Sequence, residues 1–268
     1  MQLGWSVFPN YSEYKRRGGN DFIMPRTVLE QTFQFYGEYG IKDRLTLIYD
    51  LPVKQTHIGN FVEEYEGGAI NKAGTKVGLG NVGLGVRGLV YDDIFNLSID
   101  AHVRAPTAMY DDSLGVRTGY DAWQFYPIMT FGKGLKNFYV QMYFGGLFMT
   151  NSYTHSIMTG INLGYAIKGR VWIIGFLDGK ISMRNGNRVD PDNNLLTGLY
   201  LNDQEYIAYG GKIIAEIIKD KFGMNLAVGA GDGNAVPKQF SLNLGLYLKW
   251  KGGSKGESSN PVDGTQAN

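Results

Sequence analysis

The chain has 268 residues, a formal charge of +1, 38 glycines, 8 prolines and no cysteine. Its balanced charge argues against the basic surface that a nucleic-acid partner requires, and the missing cysteines exclude disulfides and thiolate metal sites. No apolar run reaches the roughly 18 residues needed to cross ~30 Å of hydrocarbon as a helix, and glycine at about twice its usual ~7% points to strands with close backbone approach.

In chain order, Met1-Gln2-Leu3-Gly4-Trp5 lacks the charged and apolar regions of a secretory signal, so for a surface protein the expectation is a mature sequence whose signal has been removed. Residues 3–14 predict a first strand with Trp5, Val7, Pro9 and Tyr11 on one parity, weakened by Pro9. A loop over residues 15–25 follows. The clearest unit is 33–53, two amphipathic strands about a turn at 41–44. Phe33, Phe35, Tyr39 and Ile41 alternate with Gln34, Tyr36 and Glu38, then Leu45, Leu47, Tyr49, Leu51 and Val53 alternate with Arg44, Thr46, Asp50 and Lys54. A loop over 57–75 carries Glu63, Glu64 and Glu66 and leads into a glycine-alternating strand over 76–90. After a turn at 91–94, Phe95, Leu97, Ile99, Ala101 and Val103 oppose Asn96, Ser98, Asp100, His102 and Arg104 along the next strand. Beyond a loop at 106–119, strands are expected over 120–131, 138–149, 157–167, 171–183, 206–218, 222–230 and 240–250. Short turns at 132–137, 168–170 and 219–221 alternate with a link at 151–155 and loops at 184–203 and 231–238. Residues 251–268 form a polar, flexible tail.

This gives twelve strands with short turns at one end and mostly longer loops at the other, the plan of an up-and-down antiparallel transmembrane β-barrel. The barrel occupies residues 1–250 with both ends on the turn side. Tyr39, Phe131, Phe138, Tyr165, Phe222 and Trp250 form an aromatic girdle there. Phe240, Leu242, Leu244, Leu246, Leu248 and Trp250 make a final apolar stripe resembling the assembly signal of such barrels, although these usually stop at the aromatic. Twelve strands and the repeated loop asymmetry disfavour an eight-stranded soluble lipocalin-like barrel. The expected partner is the lipid bilayer of a Gram-negative outer membrane.

Parity places Glu38, Arg44, Asp50, Arg87, Asp100, His102, Arg104, Lys212 and Glu216 on the polar, lumen-facing side, together with Tyr36, Tyr126, Tyr139, Tyr143, Phe176 and Tyr247. Twelve strands lie between the roughly eight that side chains fill and the roughly sixteen that leave a wide channel. Two readings stay open: opposite charges pairing across the lumen to hold the barrel, or a narrow solute path past Arg104 and His102. No cofactor or metal is expected. Asp190-Pro191-Asp192-Asn193-Asn194 resembles the start of a calcium loop, but Leu195 and Leu201 replace the required glycine and glutamate. Gly78, Gly80, Gly83 and Gly85 precede no helix that could cradle phosphate. His57, His102 and His155 are the candidate bases for a hydrolase, without a nucleophile motif beside them, and no enzymatic activity is expected.

Tyr36-Gly37-Glu38-Tyr39-Gly40-Ile41-Lys42-Asp43-Arg44-Leu45-Thr46 and Gly78-Leu79-Gly80-Asn81-Val82-Gly83-Leu84-Gly85-Val86-Arg87 resemble the outer-membrane family of meta-pathway phenol-degradation, or XagA-like, proteins. The resemblance is best between about residues 26 and 106, with weaker echoes at 118–121 and in the last strand. It implies a β-barrel linked to uptake of hydrophobic compounds or to exopolysaccharide export, and brings no catalytic motif. Three functional classes follow: a narrow transporter for hydrophobic or small organic molecules, a non-conducting accessory subunit partnered by other outer-membrane proteins through loops 58–72 and 184–203, and a lipid-modifying enzyme.

Overall fold

The structure, a computed structural model, describes residues 1–15, 20–60, 73–189 and 197–250. Its strands are β1 (Gln2–Lys15), β2 (Phe22–Lys42), β3 (Leu45–Ile58), β4 (Gly74–Leu79), β5 (Gly83–Asp92), β6 (Asn96–Arg104), β7 (Tyr110–Asp111), β8 (Val116–Arg117), β9 (Gln124–Leu135), β10 (Phe138–Met149), β11 (Ser156–Ile167), β12 (Val171–Ser182), β13 (Glu205–Ile218), β14 (Phe222–Asn234), β15 (Val236–Pro237) and β16 (Phe240–Leu248). Neighbours in sequence pair antiparallel around the sheet, and β1 pairs with β2 on one side and β16 on the other. The result is a closed barrel of twelve strands, β4 and β5 sharing one position along β3. Closure removes the free sheet edges that would otherwise template aggregation.

Period-2 alternation decides which face looks where. Leu51, Leu84, Ile99, Phe144, Leu163, Ile213 and Leu246 are all exposed on the outside, while Glu30, Asp50, Asp100, Asn162, Lys180 and Lys212 are buried on the inside. An apolar exterior around a polar interior is stable only where the solvent outside is hydrocarbon. Near the tight turns the outer face becomes aromatic: Phe138 lies 4.8 Å from Tyr165, Phe95 lies 5.8 Å from Phe131, and Trp250 is exposed. Met1 and Leu248 exchange hydrogen bonds at this same end.

Several strands run beyond their expected limits. β2 begins at Phe22 inside the expected loop, and β3 continues to Ile58. Their outward residues there include Thr27, Gln55 and His57, so the alternation of apolar and polar residues fades where the strands pass the apolar belt. The glycine-rich strand is interrupted at residues 80–82, where one extra residue opposes β3 between the Asp50↔Gly83 and Val53↔Leu79 pairs. In β1 the register shifts after Phe8 and again after Tyr11. The first shift sets Pro9 and Asn10 against Leu29 and accommodates Pro9, which has no N–H to give. It also changes parity, so Tyr11 turns inward and is buried with Tyr14, the half-buried Phe8 packed against them, contrary to its expected place beside Trp5. The calcium-like segment 190–194, the acidic cluster Glu63, Glu64 and Glu66, and the tail 251–268 lie outside the described residues.

Candidate functional site

The candidate site is the lumen together with the loops that enter it. Residues 105–123 fold inward from the loop end, carrying β7 and β8, and seat on β4. The seat is made by missing side chains: a Cβ on Gly74 would strike Leu114, and one on Gly78 would strike Met109. Asn81, in the break between β4 and β5, pins the loop at both ends by donating to the carbonyls of Ala105 (2.9 Å) and Tyr120 (2.7 Å) and accepting from the Tyr120 N–H (2.8 Å). Arg26 donates to the Leu114 carbonyl at 2.6 Å. Leu114 and Val116 then join Tyr11, Tyr14, Met24, Val28 and Ile58 in an apolar cluster on the β1–β3 wall.

The loop between β12 and β13 enters from the other side. Leu199 joins the same cluster, the Thr197 carbonyl accepts from Tyr14 at 3.1 Å, and Tyr200 donates to Glu30 at 3.2 Å. Gly198 makes this possible, with φ of +63° and no side chain where the Tyr14 ring lies. The two loops meet where Tyr120 packs edge-on against Tyr200 (5.2 Å) and Tyr153 (5.3 Å). Asp121 clasps them: it accepts from Arg188 (2.9 Å) and Tyr153 (2.8 Å) and pairs with Arg117 (3.2 Å). Burial pushes the Asp121 carboxyl up, but the Tyr153 hydrogen bond and the Arg117 and Arg188 guanidinium groups outweigh it and hold it below the ordinary value.

Below the loops, the β2–β6 wall is a closed charge network. Arg87 makes paired hydrogen bonds to Asp100 (2.9 and 3.0 Å) and reaches Glu38 at 3.1 Å, while His102 stands 3.5 Å from Asp100. Arg104 bonds Asp50 at 3.1 Å, Asp50 accepts from Gln34 at 2.8 Å, and Lys54 bonds Glu30 at 2.7 Å. Across the lumen, Glu216 is bonded by Lys249 at 2.8 Å, and Lys212 is buried on the inner face of β13. Arg44 differs from its sequence expectation. It lies in the exposed β2–β3 turn, because the hairpin closes with Asp43 and Arg44 as its turn residues.

The aromatic residues of the β10–β16 wall sit against glycines of neighbouring strands. Tyr139 lies over Gly164, Tyr143 over Gly160, Tyr247 over Gly223, and Phe176 over Gly210 and Gly229; in each case a Cβ on the glycine would collide with the ring. Rings laid flat in glycine gaps narrow the lumen less than their volume suggests. Sequence parity found the rings, while the glycine partners one strand away carried no signal of their own. The same holds for Asn81, Asp121, Arg188 and Lys180, which sequence reading missed.

His57 pairs with the Thr75 hydroxyl at 2.8 Å on the exposed outer face, His102 belongs to the Asp100 network, and the His155 ring accepts from the Met149 N–H at 3.2 Å.

No protein-family model matches the sequence, and no curated protein matches it. Solved structures do match in fold. The COG4313 outer membrane channel from Pseudomonas putida F1 superposes with a TM-score of 0.62 at 15% identity, over 91% of this chain and 93% of that one. The translocator domain of the autotransporter NalP from Neisseria meningitidis gives 0.54 at 8% identity, over 93% and 88%. The KdgM porin gives 0.51 at 7% identity, over 94% and 100%. The likeness is one of fold: a closed, twelve-stranded antiparallel β-barrel of the outer-membrane type.

Proposed function

We propose that this barrel is a narrow outer-membrane channel for small or hydrophobic organic molecules, with its solute path along the β11–β14 wall. The observation that carries this reading is the division of the interior. The loops dock on the β1–β3 and β9–β10 walls through two apolar clusters, while the facing wall keeps its rings flat over glycines. On this reading the loops narrow the interior on one side and the solute passes along the other. The family resemblance of the sequence and the fold likeness to a channel support transport over catalysis. Purified, refolded protein should give resolvable conductance steps in planar bilayers, and Asn81→Ala, which unpins the 105–123 loop, should enlarge them. A folded protein that stays silent across lipid compositions would sink this reading.

The inserted loops also favour a second reading, a non-conducting accessory subunit. Under it, gentle detergent extraction from native membranes should yield the chain with stoichiometric outer-membrane partners, whereas a channel acting alone elutes at the mass of one barrel.

A further inference from the structure

We propose that the β12–β13 wall of the lumen takes small organic anions, aromatic carboxylates above all, with Lys180 and Lys212 as successive binding stations on either side of the Phe176 ring. The proposal rests on the channel reading and names the class of solute.

The two lysines stand apart from the other charges of the lumen. Lys180 is 7% exposed and Lys212 6% exposed, yet among the described residues neither has a carboxylate within ion-pair distance. Lys180 has only the Gln204 amide oxygen, at a long 3.5 Å, and the Tyr120 ring at 5.8 Å. Lys212 has no hydrogen bond at all among these residues; it feels the Asp178 carboxylate only at a distance. The carboxylates that could have served them are engaged elsewhere: Asp178 accepts from Tyr143 at 2.8 Å, Glu205 is held by Arg184 at 3.3 Å, and Glu216 by Lys249 at 2.8 Å. On the opposite wall, Lys54, Arg87 and Arg104 each have a carboxylate partner at 3.1 Å or less. An ammonium taken from bulk water without a counter-charge is costly. Where Lys54, Arg87 and Arg104 of the opposite wall are matched, two ammonium groups without a carboxylate on a single wall mark a place for an anion that comes and goes.

Register sets the spacing. Lys180 pairs across the strands with Tyr206, and Lys212 lies six residues farther along β13, which at ~3.3 Å per residue is about 20 Å. Lys180 is at the upper end, directly beneath the Tyr120 and Gln204 side chains of the two loops. Between the stations lie Asp178, engaged by the Tyr143 hydroxyl at 2.8 Å, and Phe176, whose ring fills the space left by Gly210 and Gly229. From Lys212 toward the turn end, Tyr139, Ile174 and Ile214 are buried in an apolar cluster with Trp172 and Tyr247 packed against it, and the Tyr139 and Tyr247 hydroxyls have no hydrogen-bond partner among the described residues. Two ammonium groups with a ring between them match a solute with one carboxylate and one flat apolar body. Neutral hydrocarbons would leave both ammonium groups unmatched, and cations would be repelled by them.

The experiment is the reversal potential of the full chain in planar bilayers under a KCl gradient, repeated with benzoate replacing chloride, for wild type, Lys180→Met, Lys212→Met and Lys212→Arg. Heat-modifiable electrophoretic mobility confirms that each barrel is folded. The expected result is an anion-preferring wild type whose current benzoate interrupts. Each Met variant should lose about fivefold in anion preference, the effect of one unit charge at ~4 Å in a watery lumen, and Lys212→Arg should retain it. A conducting wild type without anion preference, or a preference unmoved in the folded Met variants, overturns the anion inference and leaves the channel reading standing. Absence of any conductance removes the channel reading, and this inference with it.

Discussion

Asp100 shows how a single inward residue is tied to the wall around it. It is 2% exposed and receives three hydrogen bonds from Arg87. Asp100→Asn removes the buried charge that faces the guanidinium, and breaking such a buried pair costs about 3 kcal/mol or more. Chemical unfolding in lipid micelles should show that loss, and Arg87→Met combined with Asp100→Leu should recover much of it. If the double variant is no better than the single one, the pair is contributing more than compensation of its own desolvation. Gly164 makes a different kind of test. Gly164→Ala puts a methyl group where the Tyr139 ring lies, forcing the ring toward the lumen at an overpacking cost of about 1–3 kcal/mol. Single-channel conductance should fall together with stability. Gly175→Ala, whose Cβ would point into open space, should change neither, and equal effects at both positions would refute the flat-ring account.

At the scale of elements, the two inserted loops are held to each other by Asp121. Its carboxyl titrates below the ordinary aspartate value of about 3.9, so the clasp contributes fully above that pH and is lost as pH falls through the lower, folded-state value. Protease cleavage within 105–123 should accordingly be slow at neutral pH and accelerate only below about pH 4. Asp121→Asn should be cleaved at neutral pH as wild type is in acid; pH-independent protection would remove Asp121 from the clasp. Nothing in the sequence announced this pairing, since residues 121 and 188 lie 67 positions apart in segments without periodicity. The strands were far more legible. In β3, β6 and β16 lipid contacts one face and the polar lumen the other, so each alternation is enforced by two different solvents. Legibility failed where one of those conditions lapsed: above the apolar belt at Gln55 and His57, and at the Pro9 bulge that turned Tyr11 inward. Of the site, the paired charges of the β2–β6 wall could be read from parity. What sequence could not reveal was that Lys180 and Lys212 have no carboxylate partner among the described residues, because that depends on where every neighbouring carboxylate is already bound.

For the whole molecule, the decisive property is its orientation across the membrane. Strand order places the turns at 43–44, 93–95, 136–137, 168–170 and 219–221 at one end with the Met1–Leu248 closure, and the longer loops at the other. Barrels of the outer membrane keep short turns periplasmic and long loops outside, which on the proposed channel reading puts the Asp121 clasp and Lys180 at the external end and the aromatic cluster around Trp172 at the periplasmic end. The absence of cysteine allows a direct test. Val189→Cys, at an 88% exposed loop position, should react with a membrane-impermeant maleimide on intact cells. Asp93→Cys, in the exposed β5–β6 turn, should react only after the outer membrane is permeabilised. The reverse pattern would invert the barrel and with it the direction of the proposed path. Labelling of both sites on intact cells would show that the apolar belt does not seal the barrel into a membrane. Because the anion stations lie in series between these ends, the same two cysteines also fix which lysine a solute meets first: Lys180 on entry from outside, Lys212 on entry from within.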